Sequence, residues 1–230
     1  HGTLVNGPTW GNGRFSNAVY LDGSNDRVTL PTGVVNGLTD FTISTWVYLN
    51  AASQWSRVFD FGTDTTNYMF LTPQANSGFV RFAIRTPSVS EQVINGTAAL
   101  PTEQWTHVAV TLGGGTGVLY VNGSEVGRNS EMTLTPTSLG ATTNNLIGYS
   151  QWDDPYLNGR VDEFRIYANA LSAAAVASLA AEEIPADAPL APTTLNAEET
   201  TGGRIELTWD AVPDATNYNV KRSTLDGGPY

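Results

Sequence analysis

Between Gln104 and Gly127 the chain reads QWTHVAVTLGGGTGVLYVNGSEVG, and this stretch constrains the fold more than any other. Two runs of alternating apolar and polar residues, 107–112 and 118–121, flank a glycine cluster. Asn122-Gly123 then leads into residues 124–127. Period-two alternation marks strands with one buried face. Asn-Gly between such runs signals a tight hairpin, because a type I′ turn needs positive φ at both central residues. An antiparallel meander is therefore expected, an arrangement commoner in all-β binding domains than in enzymes.

The rest of residues 1–182 is punctuated in the same way. Besides the meander, strands are expected at 3–5, 18–21, 27–30, 41–49, 57–61, 68–72, 78–85, 91–94, 145–148 and 160–167. Many short strands separated by Gly, Asn, Thr and Pro predict an all-β antiparallel sandwich or barrel. One helix is expected over 173–182, where Ser172 can cap an alanine-rich run. A 40% apolar composition supports a packed core, and the absence of cysteine excludes disulfides and thiolate chemistry. Residues 183–192, EIPADAPLAP, read as a proline-rich linker ahead of a second β segment at 193–230.

Five phrases in order carry a family resemblance: AVYLDGSNDRVTLP at 18–31, DFTISTWVYLN at 40–50, WTHVAVT, LYVNGSEVG, and NGRVDEFRIYANALS at 158–172. Residues 1–182 resemble the laminin-G-like jelly roll of bacterial secreted proteins, within the concanavalin A-like lectin/glucanase group. The resemblance implies a jelly-roll β-sandwich, a fold that hosts lectins, adhesion modules and enzyme appendages alike. Residues 193–230 resemble the N-terminal half of a fibronectin type III domain, with Trp209 at its strand B tryptophan and Tyr218 on strand C. Relatives usually begin one strand earlier, so the chain is expected to be part of a modular extracellular or cell-surface protein.

Net charge is −11, with a single lysine, Lys221, among eleven basic residues. A basic phosphate-binding footprint is missing, which argues against nucleic acid as a partner. No apolar run reaches the length of a membrane span, so membrane insertion is not expected. The partners expected are a polysaccharide or other glycan and further domains of the same parent chain.

Catalytic residues are not expected. Retaining glycosidases need two carboxylates about 5–5.5 Å apart. The Glu-x-Asp-x-(x)-Glu strand of fold-related glucanases is absent, and Asp162-Glu163, as strand neighbours, are expected to point to opposite faces. His107 lies inside a hallmark strand and reads as scaffold. Calcium is a different matter, because it takes six to eight hard oxygens, and LDGSND at 21–26 clusters two aspartates, an asparagine and a glycine. The family resemblance implies a structural calcium with Asp162 supplying its side chain, Gly23 its carbonyl and Asp22 close by.

Sugar rings stack on aromatic faces and hydrogen-bond to planar polar groups. Of six tryptophans, Trp10, Trp46 and Trp105 fall in hallmark phrases and are expected to pack the sandwich, while Trp209 belongs to the second segment. Trp152, in the polar insertion GYSQWDDPYLNG, and Trp55, in ASQWSRVFDFG, are left as candidate platforms. Tyr149, Tyr156 and Tyr68 are secondary candidates, with Asp153, Asp154, Arg57, Arg81, Arg85 and Asn67 as polar partners. The leading expectation is a non-catalytic carbohydrate-binding module of a secreted polysaccharide-degrading enzyme. The alternatives are an adhesion or spacer module and a fragment of a glycoside hydrolase or lyase.

Overall fold

The computed structural model describes residues 2–15, 17–182, 195–200 and 204–210. The chain divides into two units, His1–Glu182 and Glu183–Tyr230. In chain order the first unit opens with β1 Thr3–Val5, β2 Thr9–Asn12, β3 Asn17–Asp22, β4 Arg27–Leu30 and β5 Phe41–Leu49. It continues with β6 Phe59–Asp64, β7 Asn67–Thr72, β8 Arg81–Thr86 and β9 Val89–Asn95. The meander follows as β10 Trp105–Gly113, β11 Thr116–Val121 and β12 Ser124–Asn129, then β13 Asn144–Ile147, β14 Asn158–Tyr167 and α1 Ala173–Ala180.

These strands form two seven-stranded antiparallel sheets, ordered β1-β4-β13-β6-β7-β8-β9 and β12-β11-β10-β5-β14-β3-β2. The crossovers between them make an antiparallel jelly-roll sandwich. Its core is filled from both inner faces, with Phe41, Phe59, Phe61 and Phe82 among the largest fully buried side chains. Alternation decides which residues take part. On β7, Met69 and Leu71 point inward, so Tyr68 and Phe70 must point outward; on β5, Ile43 and Val47 point inward and Trp46 outward.

The meander folds as its turns dictate. Gly114-Gly115 joins β10 to β11 at φ 56° and 78°, and Asn122-Gly123 joins β11 to β12 at φ 49° and 77°. Both are two-residue connections with the positive φ pair that a type I′ turn requires. Asn122 also accepts the backbone N–H of His107 through Oδ1, at 2.9 Å.

Several sequence expectations change at the edges. A strand not anticipated, β2, pairs with β3, and its Trp10 is 43% exposed rather than packed in the sandwich. An edge strand has only one neighbour to cover it. Trp46 is buried, but on the outer face of the second sheet, under Phe15 and Arg14 and against His107. Trp105 is partly exposed on that same outer face, edge-on to Tyr48. Arg57 precedes β6 instead of beginning it.

The last strand, β14, contains a bulge between Asp162 and Arg165, with Glu163 at φ 51°. The extra residue shifts the alternation. Phe164 turns into the core, whereas Glu163 pairs with Arg165. Arg165 lies opposite Ser44 and Asp162 opposite Trp46, so Asp162 and Glu163 share the outer face instead of opposing faces. They remain separately engaged. Asp162 accepts the N–H groups of Arg14, Phe15 and Glu163, and Glu163 is tied to Arg165.

In α1, Ser172 caps the helix by accepting the Ala175 N–H, and Val176 seats it on Ala109, Val118 and Tyr120 of the second sheet. In the second unit, β15 Leu195–Thr200 and β16 Arg204–Trp209 form an antiparallel pair. The linker expected at 183–192 and Tyr218 lie outside the described residues. No described helix is long and apolar enough to cross a membrane.

Candidate functional site

The outer face of the first sheet is aromatic where water-facing strands are ordinarily polar. Register aligns Leu146, Asp60, Phe70 and Ala83 in one outward row, and Asn144, Gly62, Tyr68 and Arg85 in the next. Two chain segments fold over these rows. One carries Trp55, whose backbone sits at φ 66° with its N–H donated to Gln74 O. A bulky side chain in the left-handed region is costly and is held there by its surroundings. The other is the loop 148–157, closed at its neck by the Leu157 N–H donating to Gly148 O at 2.9 Å.

Trp152 projects from that loop onto Tyr68, with ring centroids 4.7 Å apart and edge-to-face, and onto Phe70 at 6.1 Å. Trp55 meets Phe70 from another side at 6.4 Å. Between the indoles lies Arg57, its guanidinium 4.1 Å from the Phe70 ring centroid, 5.4 Å from that of Trp152 and 5.5 Å from that of Trp55. Four of the aromatic and cationic residues singled out from sequence, Trp152, Trp55, Tyr68 and Arg57, thus converge.

Asp60 anchors the loop and was not anticipated. It is fully buried, 3.5 Å from Arg57 Nε, and accepts the Gln151 N–H at 3.2 Å and the Gln151 side-chain amide at 2.7 Å. Gly62 makes room, since a Cβ there would lie 2.6 Å from Gln151 Nε2. Arg57 also donates to Asp154, whose carboxylate accepts from Ser150 Oγ, which in turn accepts the Trp152 N–H. Burial pushes the Asp60 carboxyl up to about 6 despite the opposing pull of Arg57, and burial lowers the Arg57 guanidinium. The FDFG phrase places Asp60 outward between two inward phenylalanines, but only the returning loop makes it buried.

Beside Trp152 an open trough of about 760 Å³ runs over the turn 63–65, Asn144 and Arg27. Tyr149 and Tyr156 line it as a stacked pair, with centroids 3.9 Å apart and planes 10° apart, and Arg27 lies 5.8 Å from the Tyr149 ring. Asp64 and Asp153 are exposed at its rim. The Tyr149 phenol is raised by its hydrogen bond with Tyr156, and hydrogen bonds from Thr66 lower the Asp64 carboxyl. Of the sequence candidates, Asp153, Tyr149 and Tyr156 share this trough with Trp152, while Trp55 lies outside it.

The residues named for calcium do not fit one ion. Asp22 lies opposite Asn158 on β14, four residues before Asp162. At about 3.3 Å per residue that is roughly 13 Å, too far for a shared cation. The Asp162 carboxylate is taken up by three backbone N–H groups, and Asp22 accepts those of Ser24 and Asn25 in its own turn. Among the described residues no group of three or more carboxylate or imidazole ligands gathers anywhere.

Two packed seven-stranded antiparallel sheets define the jelly-roll class of β-sandwich. The family model described as the concanavalin A-like lectin/glucanases superfamily, of laminin G type, matches residues 22–177, and the chain belongs to that family. No curated protein matches the chain in sequence. Among solved structures, it is similar to domain 4 of AbnA, a GH43 extracellular arabinanase from Geobacillus stearothermophilus, in complex with arabinotriose. That match has 26% identity and a TM-score of 0.68, covering 78% of this chain and 87% of the other. The sialidase CBM40 of Ruminococcus gnavus, bound to α2,3-sialyllactose, shares the fold at 14% identity and TM-score 0.56, covering 70% and 97%. The botulinum neurotoxin serotype C1 binding domain does so at 16% and 0.60, with 79% of this chain covering 47% of that one.

Proposed function

We propose that residues 1–182 form a non-catalytic carbohydrate-binding module of a larger secreted polysaccharide-degrading enzyme. The observation that carries this reading is the trough where Trp152 and the stacked Tyr149–Tyr156 pair meet exposed carboxylates and amides. Aromatic edges and faces there offer apolar contact to sugar C–H groups, and Asp64, Asp153 and Asn144 offer hydrogen-bond partners to hydroxyls. The similarity to an arabinanase domain whose structure is in complex with arabinotriose supports it. Such a module would hold its parent on substrate and raise the effective concentration there. The second unit is read as the opening strands of a fibronectin type III neighbour.

Affinity electrophoresis against arabinan, xylan, β-glucan and mannan tests the reading. Retardation by at least one polysaccharide is expected, abolished by Trp152→Ala combined with Tyr149→Ala. Migration unchanged in every gel, or retardation that survives the double substitution, would rule out this site.

A further inference from the structure

The charges around the trough say more about its ligand than the aromatic residues do. Asp64 and Asp153 are exposed on its rim, and Asp153 makes no hydrogen bond or ion pair among the described residues. Among the described residues that line the trough the one cation is Arg27, close to the Tyr149 ring. Arg57 lies just beneath Trp152, yet it is buried and shared between Asp60 and Asp154, so it cannot meet an incoming anion. Arg81, beyond Trp55, is within 3.9 Å of Glu91 and donates to Asn95, and it does not line the trough.

We infer that this trough selects neutral glycans and excludes uronate- and sialate-bearing ones, an inference that rests on the glycan-binding reading above. A sugar hydroxyl donates to a carboxylate, so Asp64 and Asp153 suit a polyol and make charge-assisted hydrogen bonds with it. A sugar carboxylate can only accept, and beside two like charges it loses more on leaving water than one arginine returns. The net charge of −11 adds a long-range field that slows the approach of a polyanion. The fold itself sets no such preference, because the sialidase module that shares it is bound to an acidic sugar, α2,3-sialyllactose.

Isothermal titration of the intact chain with linear arabino-oligosaccharides, sialyllactose and oligogalacturonate tests the inference, with circular dichroism confirming that each variant is folded. The wild type is expected to bind a neutral probe at least about tenfold more tightly than either acidic probe. Asp153→Asn should weaken neutral binding by about tenfold through loss of a charged acceptor. Asp153→Lys should narrow or reverse the preference. Equal or tighter binding of an acidic probe, above all with a steep salt dependence, would overturn the charge argument while leaving glycan binding intact. Binding of neither class, in a panel that also includes xylan and glucan oligosaccharides, would overturn the glycan reading and this inference with it.

Discussion

The two outer faces of the sandwich are both aromatic, and they are aromatic for different reasons. On the second sheet, Trp46 is held between His107 and Phe15, and Arg160 fills the space between Tyr20 and Tyr48. Trp46 and His107 are buried there beneath Phe15 and Arg14, whereas Tyr20, Tyr48 and Arg160 pack on one another and stay partly exposed. On the first sheet, Trp152 rests on Tyr68 and Phe70 through its edge contacts and stays partly exposed, next to an open trough. Closed aromatic contacts hold a fold together, whereas aromatic residues bordering a polar trough are free to meet a ligand.

Exchanging the damage between the two faces breaks this comparison most sharply. Trp46→Ala removes a buried ring and should cost about 3–5 kcal/mol of folding stability, a large part of what a domain this size has. Ligand affinity of the protein that still folds should be unchanged. Trp152→Ala should do the reverse, weakening glycan binding by about 2 kcal/mol, or roughly 30-fold, with a smaller loss of stability. Denaturant melts and calorimetry on both variants measure this. A Trp46→Ala protein that folds normally but binds nothing would invert the assignment of the two faces.

Acid titration separates the faces by sign. Asp60, under the first face, has its carboxyl raised by burial to about 6, so the folded state holds the proton more tightly than the unfolded chain. Its contribution is fully present below the unfolded value and is lost as pH rises through about 6. His107, under the second face, is lowered to about 4 by burial and by Arg165, and its contribution is lost as pH falls from about 6.5 to about 4. Each shift corresponds to about 3 kcal/mol, at 1.36 kcal/mol per unit. Between about pH 6.5 and 4 the two contributions therefore slope in opposite directions.

Single variants unmask each slope. His107→Gln should become more stable as pH falls through that window, and Asp60→Asn should become less stable. Glycan affinity of the wild type should fall below about pH 6, since a neutral Asp60 holds Gln151 and Arg57 less firmly and the loop bearing Trp152 loosens. Chemical denaturation at about pH 7 and about pH 4, with binding measured alongside, gives both readouts. Parallel pH profiles for the two variants would show that neither group is poised as described.

How much of this could be read from the residues themselves differs between the faces as well. Period-two alternation and the two positive-φ turns define the meander locally, so β10 to β12 follow directly from the sequence. The short edge strand β2 does not, because three of its four residues, Thr9, Gly11 and Asn12, read equally well as a turn. Trp152 and Trp55 stood out because no strand pattern claimed them. Asp60 stayed hidden, since its burial is created by Gln151, 91 residues later in the chain. The shared orientation of Asp162 and Glu163 also escaped, because alternation is a rule that a single inserted residue reverses.

Metal removal should produce the smallest effect, and it bears on the second face alone. The calcium that the family resemblance implies would rest on Asp22, Gly23 and Asp162. In this chain Asp162 serves another end: its Oδ2 accepts from Arg14 at 2.7 Å and from Phe15 at 3.2 Å, which fixes the segment that covers Trp46. Chelation should therefore leave the melting temperature unchanged, and Asp162→Ala should lower it equally with and without added calcium. A clear rise in melting temperature on adding calcium to the wild type, absent in Asp162→Ala, would show that the ion displaces those backbone donors.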